Sequence, residues 1–564
     1  MRAARENLRF GILCAVQGVP GFVRRAVERL IEGDLARPAV VMVARIEAGT
    51  HQPRLKNWNL RLLGLDCAPL WRSAPLEQCF PEVPRLSLGE LQPESGILRM
   101  TPEELAAARN YQLDFILNCL GQEPAGELAQ IARYGIWFWR FGEQGEQEST
   151  LAALRGIIRK AVVTNVLLCG RISDGRTIRL QQCSVKISRY SFHRMLDKIL
   201  DAAAHLPRWQ CAELTAGVED SNPVEMTAET TPAQAAVSTV DVLKAWRRQT
   251  AARLARSILS LRLTCWNVGL VRAARPCFLD PAFKPEVEWL PQPRGGSILA
   301  DPFPLPNEAQ SRCLAEEIDR ASGRGRIVEI RLDEQGGVAF KPVIAAKHSL
   351  SYPCVFEYEG RIFCLIGDET EQAVKLHVND SGRSKWCFHS VLIEGVMSTD
   401  ATIFPANGSW WIMHSSMDGQ ALYLWNAPTP LGPWQPHPAN PVKIDVGSAR
   451  PAGTPFWHEG KLYRPAQDGT RSYGSAVVIN RIDCLSLACF RETVVRRVEP
   501  DPNWPYPDGI HTLTGWGEYT LVDGKRYRWA PDVIVTRIIL KLSKALGRRS
   551  ADAGLFTDES SHNG

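Results

Sequence analysis

Residues 400–413, DATIFPANGSWWIM, and residues 450–464, RPAGTPFWHEGKLYR, follow the same pattern. Each stretch begins with a polar residue, continues with a short apolar run containing Phe, turns at a polar segment that ends in Gly, and returns as a second apolar run with aromatics. Two strand-like runs around such a turn are typical of a β-hairpin. The sequence therefore predicts the same hairpin at two places in the C-terminal half.

Further copies of this unit occur along the chain. YPCVFEYEGRIFCL begins at Tyr352 and a looser copy, HTLTGWGEYTLVDGKRYRW, begins at His511, so the unit returns about every 50 to 60 residues. Strand-built repeats of roughly 40 to 50 residues indicate propeller blades. With ADPFPLP around Asp301, five copies have a recognisable start, and we expect a C-terminal all-β five-bladed propeller over residues 276–530.

The rest of the chain predicts a multidomain protein, because 564 residues are too many for one ordinary core. Residues 1–210 alternate strand and helix patterns, which predicts an α/β domain with a mostly parallel sheet. A Thr-, Ala-, Glu- and Pro-rich linker follows at 211–239, then a basic helical connector at 240–275. A basic C-terminal tail, 531–564, follows the propeller.

Composition narrows the functional class. The 45% hydrophobic and 23% charged residues are typical of a globular protein, and the formal net charge of +5 is too small to favour a nucleic-acid binder. The 15 cysteines include no C-x-x-C pair, so we predict buried reduced thiols and no metal site. No apolar run reaches the length of a membrane-spanning helix and the N-terminus lacks a convincing signal peptide. We expect a cytoplasmic protein without a cofactor.

The polar residues that begin the copies are the candidate site. The first strand of each blade lines the central channel of a propeller, so residues at the starts of those strands are expected to converge on one mouth. The chain offers six such residues: Asp301, His348, Tyr352, Asp400, Arg450 and His511.

The ordered motifs ADPFPLP, HSLSYPCVFEYEG, STDATIFPANGSWWIM, ALYLWNAPTPLGPWQPHPANPV, SARPAGTPFWHEGKLYRPAQD and SYG resemble the N-terminal propeller domain of glucosamine inositolphosphorylceramide transferases. They are also similar, more distantly, to the five-bladed propellers of arabinanases and invertases. The resemblance covers about residues 295–530. It implies a five-bladed propeller that handles sugars.

The first 200 residues resemble, more faintly, the formyltransferase fold. In that family an Asn and a His after a G-I-x motif, with a later Asp, carry the chemistry. The comparable stretch here, ARYGIWFWRFGEQGE, has Phe138 and Arg140 at those places. Because the proton-transfer pair is missing, the resemblance implies a scaffold or a repurposed binding domain.

Asp301 and Asp400 are the predicted catalytic residues, because chemistry at a glycosidic bond commonly needs two carboxylates. The alternative is that both are turn residues that cap the local backbone. In hydrolytic relatives a Glu acid stands on a later inner strand, where this chain has Arg450. A guanidinium binds phosphate or carboxylate through two parallel hydrogen bonds. This difference predicts an anionic sugar, such as a nucleotide sugar, as substrate.

A polar segment after the Arg450 hairpin, RPAQDGTRSYG, predicts a loop at the rim of a pocket. The alternative is a solvated turn with a structural arginine. Histidines at the heads of copies are more often structural than functional. The predicted substrate-binding residues are His348, Tyr352, Arg450, Arg464, Gln467, Asp468 and His511.

Two basic amphipathic stretches lie outside the propeller, KAWRRQTAARLARSILSLRL from Lys244 and VIVTRIILKLSKALGRRS from Val533. Helices of this kind bind anionic membrane surfaces, or dock on another domain. The membrane interpretation predicts peripheral contact at the inner face of a membrane and suits a lipid-linked acceptor.

Three functions follow from these patterns. The first is a glycosyltransferase-type enzyme of surface glycan or glycolipid biosynthesis that binds a sugar or nucleotide sugar at the propeller mouth. The second is a non-catalytic carbohydrate-binding or scaffold propeller. The plant relatives carry a transferase domain beyond the propeller, whereas about 35 residues remain here, which favours this alternative. The third is an amino-sugar N-formyltransferase.

Overall fold

The structure is a computed structural model. It describes residues 7–16, 18–46, 64, 68–91, 98, 100–120, 127–143, 145–188, 190–218, 224–226, 238–259, 262–293, 296–306, 311–319, 322–333, 335, 337–368, 370–379 and 385–529. The chain forms two compact units. The first contains residues 1–253, 395–473 and 478–497, and the second contains 254–394, 474–477 and 498–564.

An α/β domain, residues 7–218, makes up the N-terminal part of the first unit. Its seven-stranded sheet has the order β5-β3-β1-β6-β7-β8-β9. The strands are β1 (Leu8–Ala15), β3 (Ala36–Ile46), β5 (Arg85–Leu91), β6 (Phe115–Asn118), β7 (Ile136–Phe141), β8 (Val163–Arg171) and β9 (Thr177–Lys186), and a separate ribbon pairs β2 (Val19–Pro20) with β4 (Ser73–Ala74). The first five strands of the sheet pair in parallel, whereas β8 is antiparallel to both neighbours. The predicted α/β class is confirmed.

Amphipathic helices cover this sheet. Helix α1 (Gly21–Glu32) buries Val23, Ala26, Val27 and Leu30, the spacing of one helical face. Between strands, Phe115 stacks on Trp137 with ring centroids 3.9 Å apart. The helices of the first unit are α1 (Gly21–Glu32), α2 (Leu76–Cys79), α3 (Pro102–Arg109), α4 (Ser149–Arg159), α5 (Phe192–Ala203) and α6 (Leu206–Ala216), with a 3-10 turn at Glu127–Gln130; α7 (Thr239–Leu259) follows.

The C-terminal region is a five-bladed β-propeller, as the repeats predict. Three of its sheets lie in the second unit. One contains β10 (Arg262–Val271), β11 (Val287–Trp289), β29 (Leu513–Trp516) and β30 (Tyr519–Trp529), the next contains β12 (Ile298–Pro304), β13 (Arg312–Ile318), β14 (Gly325–Leu332) and β15 (Val338–Ile344), and the third contains β16 (Cys354–Tyr358), β17 (Arg361–Asp368), β18 (Ala373–Asn379) and β19 (Trp386–Glu394).

The two remaining sheets belong mainly to the first unit. One contains β20 (Thr399–Ala406), β21 (Ser409–Ser415), β22 (Ala421–Ala427), β23 (Gln435–Pro436) and β24 (Lys443–Ile444). The other contains β25 (Phe456–His458), β26 (Lys461–Asp468), β27 (Ala476–Leu485) and β28 (Phe490–Val498). Phe404, Trp411 and Leu462 are buried in their shared apolar core.

The hairpin tips explain why the repeat could be recognised. Asn407 and Gly408 have φ of 52° and 74°, and Glu459 and Gly460 have 48° and 72°. Two successive positive φ values define a type I′ turn, whose twist matches the flanking strands, and Gly adopts that conformation without strain. A Cβ on Gly408 would meet nothing within 4 Å, so the conformation alone requires glycine there.

The predicted helical connector is corrected by the structure. Helix α7 ends at Leu259, and Arg262–Val271 forms β10, which pairs antiparallel with β30. This stretch, RLTCWNVGLV, contains Thr, Trp and two Val, which suit a pleated strand, but its partner lies more than 240 residues later in the sequence. A strand from each end of the propeller therefore shares one sheet.

Two expectations fall on parts of the chain outside the described residues. These are most of the linker, 219–223 and 227–237, and the basic tail, 531–564. Within the part of the chain that is described, no helix combines the length and the apolar character needed to cross a membrane.

Candidate functional site

Asp301 and Asp400 occupy the same unusual backbone position in their respective blades. Their φ angles are 51° and 55°, and each lies at a register shift in the first strand of its sheet, between Ala300 and Phe303 or between Thr399 and Thr402. Asp is among the residues that tolerate this left-handed conformation, at a cost of about 1 kcal/mol or more. Both carboxylates lie within strands and are buried rather than in surface turns.

In the first unit, three of the predicted residues form one cluster, which we call the Asp400 cluster: Asp400, Arg450 and Gln467. The Arg450 guanidinium donates through Nε to Asp400 Oδ2 at 2.5 Å and through Nη2 to Oδ1 at 3.1 Å. Gln467 Nε2 donates to the same Oδ2 at 2.6 Å. Two oxygens with three charged or amide donors hold the Asp400 carboxylate in one orientation.

An aromatic ring lies on the other side of Arg450. The guanidinium carbon is 4.7 Å from the ring centre of Tyr473, and Nη2 donates to the Tyr473 hydroxyl at 3.5 Å. The Arg450 side chain is 18% exposed and Tyr473 is 46% exposed, whereas the Asp400 side chain is 4% exposed. Arg450 is therefore the member of the cluster that has more access to solvent and to a ligand.

Gln467 is buried and has a defined orientation. Its Nε2 donates both to Asp400 and to the carbonyl oxygen of Pro451, at 3.0 Å, so the amide nitrogen is identified by its two acceptors. Among the described residues, Gln467 Oε1 is a buried acceptor without a hydrogen-bond partner. Such atoms are uncommon in native structures and mark strain, an ordered water or a ligand contact.

Arg464 does not join this cluster. It is fully buried, donates to Glu492 from Nε at 2.8 Å and from Nη2 at 2.5 Å, and donates to the carbonyl oxygen of Ser448. Lys443 adds a third charge, with Nζ 2.8 Å from Glu492. Burial alone would raise the pKa of Glu492, but the two cations outweigh it and the pKa lies below its usual value. These contacts make Arg464 part of the interior of the blade.

Both carboxylate oxygens of Asp468 also have protein partners. Its Oδ1 accepts from the backbone N–H and the hydroxyl of Thr470, at 2.8 and 2.6 Å, and its Oδ2 pairs with Arg497. The carboxylate caps the loop that follows β26 and lies one residue beyond Gln467.

In the second unit, Asp301 lies in a buried polar network with His511. The Thr512 hydroxyl donates to Asp301 Oδ1 at 2.8 Å, and His511 Nε2 is 3.7 Å from the same oxygen. His511 Nδ1 lies 2.6 Å from Asp523 Oδ2. The Asp523 carboxylate thus orients the imidazole so that its other nitrogen faces Asp301, at a separation longer than a hydrogen bond.

Sequence reasoning missed Asp523, a member of this network, and Lys525, which lies over Trp266, the ring that stacks on His511. Asp523 Oδ1 accepts the backbone N–H groups of His511 and Thr512, both at 3.0 Å. Lys525 is buried, with Nζ 5.4 Å from the ring centre of Trp266. Both residues lie in LVDGKRY, which is part of β30. Their positions next to His511 and Trp266 follow from the pairing of β30 with β29 and β10, which no local sequence pattern marks.

His348 and Tyr352 lie in another blade of the second unit. His348 Nε2 is 2.8 Å from Asp368 Oδ2, and Lys375 Nζ is 2.7 Å from the same oxygen. Burial alone would raise the pKa of Asp368, but hydrogen bonds and the nearby cations lower it below its usual value. Tyr352 has φ of 51°, is buried, and packs edge-to-face on Phe303.

Two groups of described residues bring His and carboxylate atoms within 4.8 Å of one another: Asp301, His511 and Asp523, and His348, Asp368 and Glu371. In both groups protein donors already contact the carboxylates, so their proximity does not need an ion. The expectation of no metal stays a prediction.

Comparison with known proteins agrees with the resemblance. Residues 296–502 match the family model described as glucosamine inositolphosphorylceramide transferase 1, N-terminal. The chain is 32% identical over 154 residues to glucosamine inositolphosphorylceramide transferase 1 of Oryza sativa subsp. japonica, covering 26% of this chain and 21% of that protein. The Arabidopsis thaliana protein of the same name is 31% identical over 155 residues, covering 26% and 20%. The match thus spans about a fifth of the length of these relatives.

Solved structures with similarity include a family 117 glycoside hydrolase from Zobellia galactanivorans, 14% identical, with 41% of this chain and 85% of that chain covered and a TM-score of 0.30. An exo-β-1,3-galactanase from Phanerochaete chrysosporium is 11% identical, with 37% and 57% covered and a TM-score of 0.29.

Proposed function

We propose that the chain is a carbohydrate-active protein that acts as a glycosyltransferase-type enzyme in glycolipid or surface glycan assembly. The match of residues 296–502 to the transferase family supports the class of reaction. The observation that carries the proposal is the geometry of Arg450. Its guanidinium is hydrogen-bonded to the buried, strained Asp400, while part of the Arg450 side chain remains exposed. An arginine in this state is oriented in advance for an anionic sugar, such as a nucleotide sugar.

The residues of each unit have distinct roles in this proposal. Arg450 contacts the phosphate or carboxylate of the sugar, and Asp400 and Gln467 fix the plane of its guanidinium. Tyr473, next to the guanidinium and well exposed, offers a face for a sugar ring. In the second unit, Asp301 with His511 next to it is a separate candidate for proton transfer.

A ligand screen tests the binding step. Purified wild type is compared with Arg450→Met by thermal shift and calorimetry against UDP-glucose, UDP-N-acetylglucosamine, sugar phosphates and neutral oligosaccharides. Arg481→Met is the matched control, because Arg481 forms an ion pair with Asp483 that is partly exposed. We expect an anionic sugar to stabilise the wild type and the control but not Arg450→Met. Binding that is equal in all three proteins contradicts the proposal.

The substitution Asp301→Asn separates an enzyme from a non-catalytic sugar-binding scaffold, whereas Asp400→Asn should also weaken binding, because Asp400 orients Arg450. Asn is also tolerated at positive φ, so both changes remove charge with little backbone strain. Loss of transfer product with retained binding supports catalysis. The scaffold alternative is favoured by one observation, that Asp400 and Arg450 already neutralise each other. It predicts binding without turnover in the wild type.

Formyl transfer to an amino sugar is the weaker candidate. Phe138 is buried in β7, and the guanidinium carbon of Arg140 lies 5.8 Å from its ring centre. Neither side chain supplies the Asn–His pair of the formyltransferase resemblance. A product assay with a formyl-folate donor and amino sugars tests this alternative, for which we expect no turnover.

We also propose peripheral contact with the cytoplasmic face of a membrane, where a lipid-linked acceptor would lie. Helix α7 buries Val242 and Ala245 but leaves Leu243 46% and Trp246 44% exposed beside the exposed Arg247. Apolar and basic side chains on one exposed surface suit anionic headgroups. In flotation with vesicles rich in phosphatidylserine, the wild type should bind and a Trp246→Ser, Arg247→Glu variant should not. Absence of wild-type binding refutes this part.

A further inference from the structure

Strand β9 lies at one edge of the α/β sheet, and this edge contacts the propeller. An edge strand presents unpaired N–H and C=O groups that other chains can bind. Here Ser184 of β9 forms a parallel bridge with Asp445 of the propeller, and the N–H of Val446 donates to the Ser184 carbonyl at 3.3 Å. A propeller loop in the same compact unit thus extends the sheet of the α/β domain.

Lys186, the last residue of β9, makes two more contacts with the propeller. Its Nζ donates to the carbonyl oxygen of Gly469 at 2.6 Å, and its backbone N–H donates to Gln420 Oε1 at 2.8 Å. Burial lowers the pKa of Lys186 from its ordinary value. A partly buried ammonium that donates to a carbonyl oxygen makes a strong, charge-assisted hydrogen bond.

The loops held by β9 are the loops around Arg450. Segment 445–449 runs directly into Arg450, and Gly469 follows Gln467 by two residues. The N–H of Gln467 donates to the Arg450 carbonyl at 2.8 Å, and the N–H of Gly469 donates to the carbonyl of Val446 at 3.0 Å.

The turn that contains Gln420 also touches Arg450. A Cβ on Gly419 would lie 3.2 Å from Arg450 Cδ, so the turn approaches the stem of the side chain closely. Every propeller segment that β9 contacts through Ser184 or Lys186 is therefore adjacent to the Asp400 cluster.

We infer that the α/β domain is a positioning element of the Asp400 cluster and that Lys186 is the positioning residue through which it acts. The assignment of the cluster to sugar binding rests on the proposed function; the contacts from β9 to its loops do not. In this inference, displacement of β9 releases the loops at 445–449 and 467–469, and the guanidinium of Arg450 loses its fixed orientation.

Hydrogen–deuterium exchange of the full-length chain tests the contact directly. Lys186→Met keeps the aliphatic stem and removes the donor, and Lys461→Met, at an exposed hairpin tip, is the matched control. We expect amides of 445–450 and 467–470 to exchange about tenfold faster or more in Lys186→Met, because a hydrogen bond of a charged group is lost. Lys461→Met should match the wild type. Lys186→Arg, which keeps a cationic donor, should restore most of the protection.

Two results overturn the inference. One is unchanged exchange at both loops in a folded Lys186→Met protein, and the other is equal acceleration throughout the chain, which indicates general destabilisation. Binding of UDP-glucose supplies a second readout, in which Lys186→Met should bind about tenfold more weakly than the wild type, whereas Lys461→Met should bind as the wild type does. If the wild type binds no nucleotide sugar, the proposed function fails while the exchange result still decides the positioning role.

Discussion

Replacement of Arg450 by Met should cost much more stability than replacement of its partner Asp400 by Asn. The Asp400 side chain is 4% exposed in the intact pair, and in Arg450→Met its carboxylate retains one side-chain donor, Gln467. Removal of one partner of a buried ion pair typically costs about 3–5 kcal/mol, and the remaining amide donor places this case near 3 kcal/mol. The Arg450 side chain is 18% exposed in the intact pair, so in Asp400→Asn its guanidinium can still hydrogen-bond to water, and the expected cost is about 1–2 kcal/mol.

The double variant, Arg450→Met with Asp400→Asn, tests the coupling, because the effect of Asp400→Asn on stability should change sign in the Arg450→Met background. Asp400→Asn destabilises the wild type, but in the Arg450→Met background it removes an uncompensated buried charge. It should therefore stabilise that background, by about 1 kcal/mol. Asp400→Ala is an additional control, because Ala tolerates φ of 55° less well than Asn and should cost about 1 kcal/mol more than Asp400→Asn.

Urea unfolding at pH 7, followed by tryptophan fluorescence, measures these differences. A change of about 3 kcal/mol moves the midpoint by roughly 1 M at a typical slope of about 3 kcal/mol/M. Arg481→Met should move it by less than a third of that, because partly exposed pairs contribute about 1 kcal/mol or less. Equal effects of Arg450→Met and Asp400→Asn, or additive effects in the double variant, would refute the assignment of a buried, mutually dependent pair.

A buried carboxylate, two buried histidines and cysteines of differing exposure each give a further measurable effect. Glu492→Gln leaves Arg464 and Lys443 without their shared anion and should lower the free energy of unfolding by about 3–5 kcal/mol. Because the fold lowers the pKa of Glu492, its contribution to stability is present above the unfolded pKa of about 4.3 and is lost as the pH falls through the folded pKa. Below about pH 4.3 the urea midpoint of the variant should therefore change less with pH than that of the wild type. Burial lowers the pKa of His414 and of His437 to about 4, so below about pH 6.5 the unfolded chain binds more protons than the folded chain. The free energy of unfolding should therefore fall toward pH 4 by about 1.4 kcal/mol per pH unit for each histidine. His414→Gln should make this pH dependence shallower in the same urea titration. Cys277 and Cys387 are exposed, whereas burial raises the pKa of Cys211, so a thiol reagent at pH 7.5 should label the first two within minutes in the folded protein and Cys211 only after unfolding, as peptide mass spectrometry can check.

The propeller could be predicted because its signal is local. Each hairpin carries its own turn chemistry, and tips such as Asn407–Gly408 and Glu459–Gly460 adopt the type I′ turns that this chemistry favours. The strand Arg262–Val271 was wrongly predicted as helix because its partner, β30, lies near the far end of the described chain. A strand whose pairing is that distant has no nearby turn to mark it.

In the candidate site, too, repeated positions could be predicted from the sequence, whereas the partners of each side chain could not. Repetition identified Asp301 and Asp400 as equivalent positions, and the structure gives both the same left-handed backbone. Arg450 and Gln467 join Asp400, but Arg464, taken from the same segment, is buried in an ion pair. Residues three apart in a strand, such as Arg464 and Gln467, point to opposite faces, and only the packing of the neighbouring segments shows which of them reaches Asp400.

The sequence by itself determined the number of blades, the α/β class of the N-terminal part and the special status of the two aspartates, because hairpin turns, strand–helix alternation and repetition are short-range properties of the chain. Only the tertiary structure decided that Asp523 orients His511, that Glu492 neutralises Arg464, and that Lys186 of the α/β domain supports the loops of Arg450. These are contacts between residues 12, 28 and 283 positions apart, and burial and charge pairing act on distance in space rather than on distance along the chain.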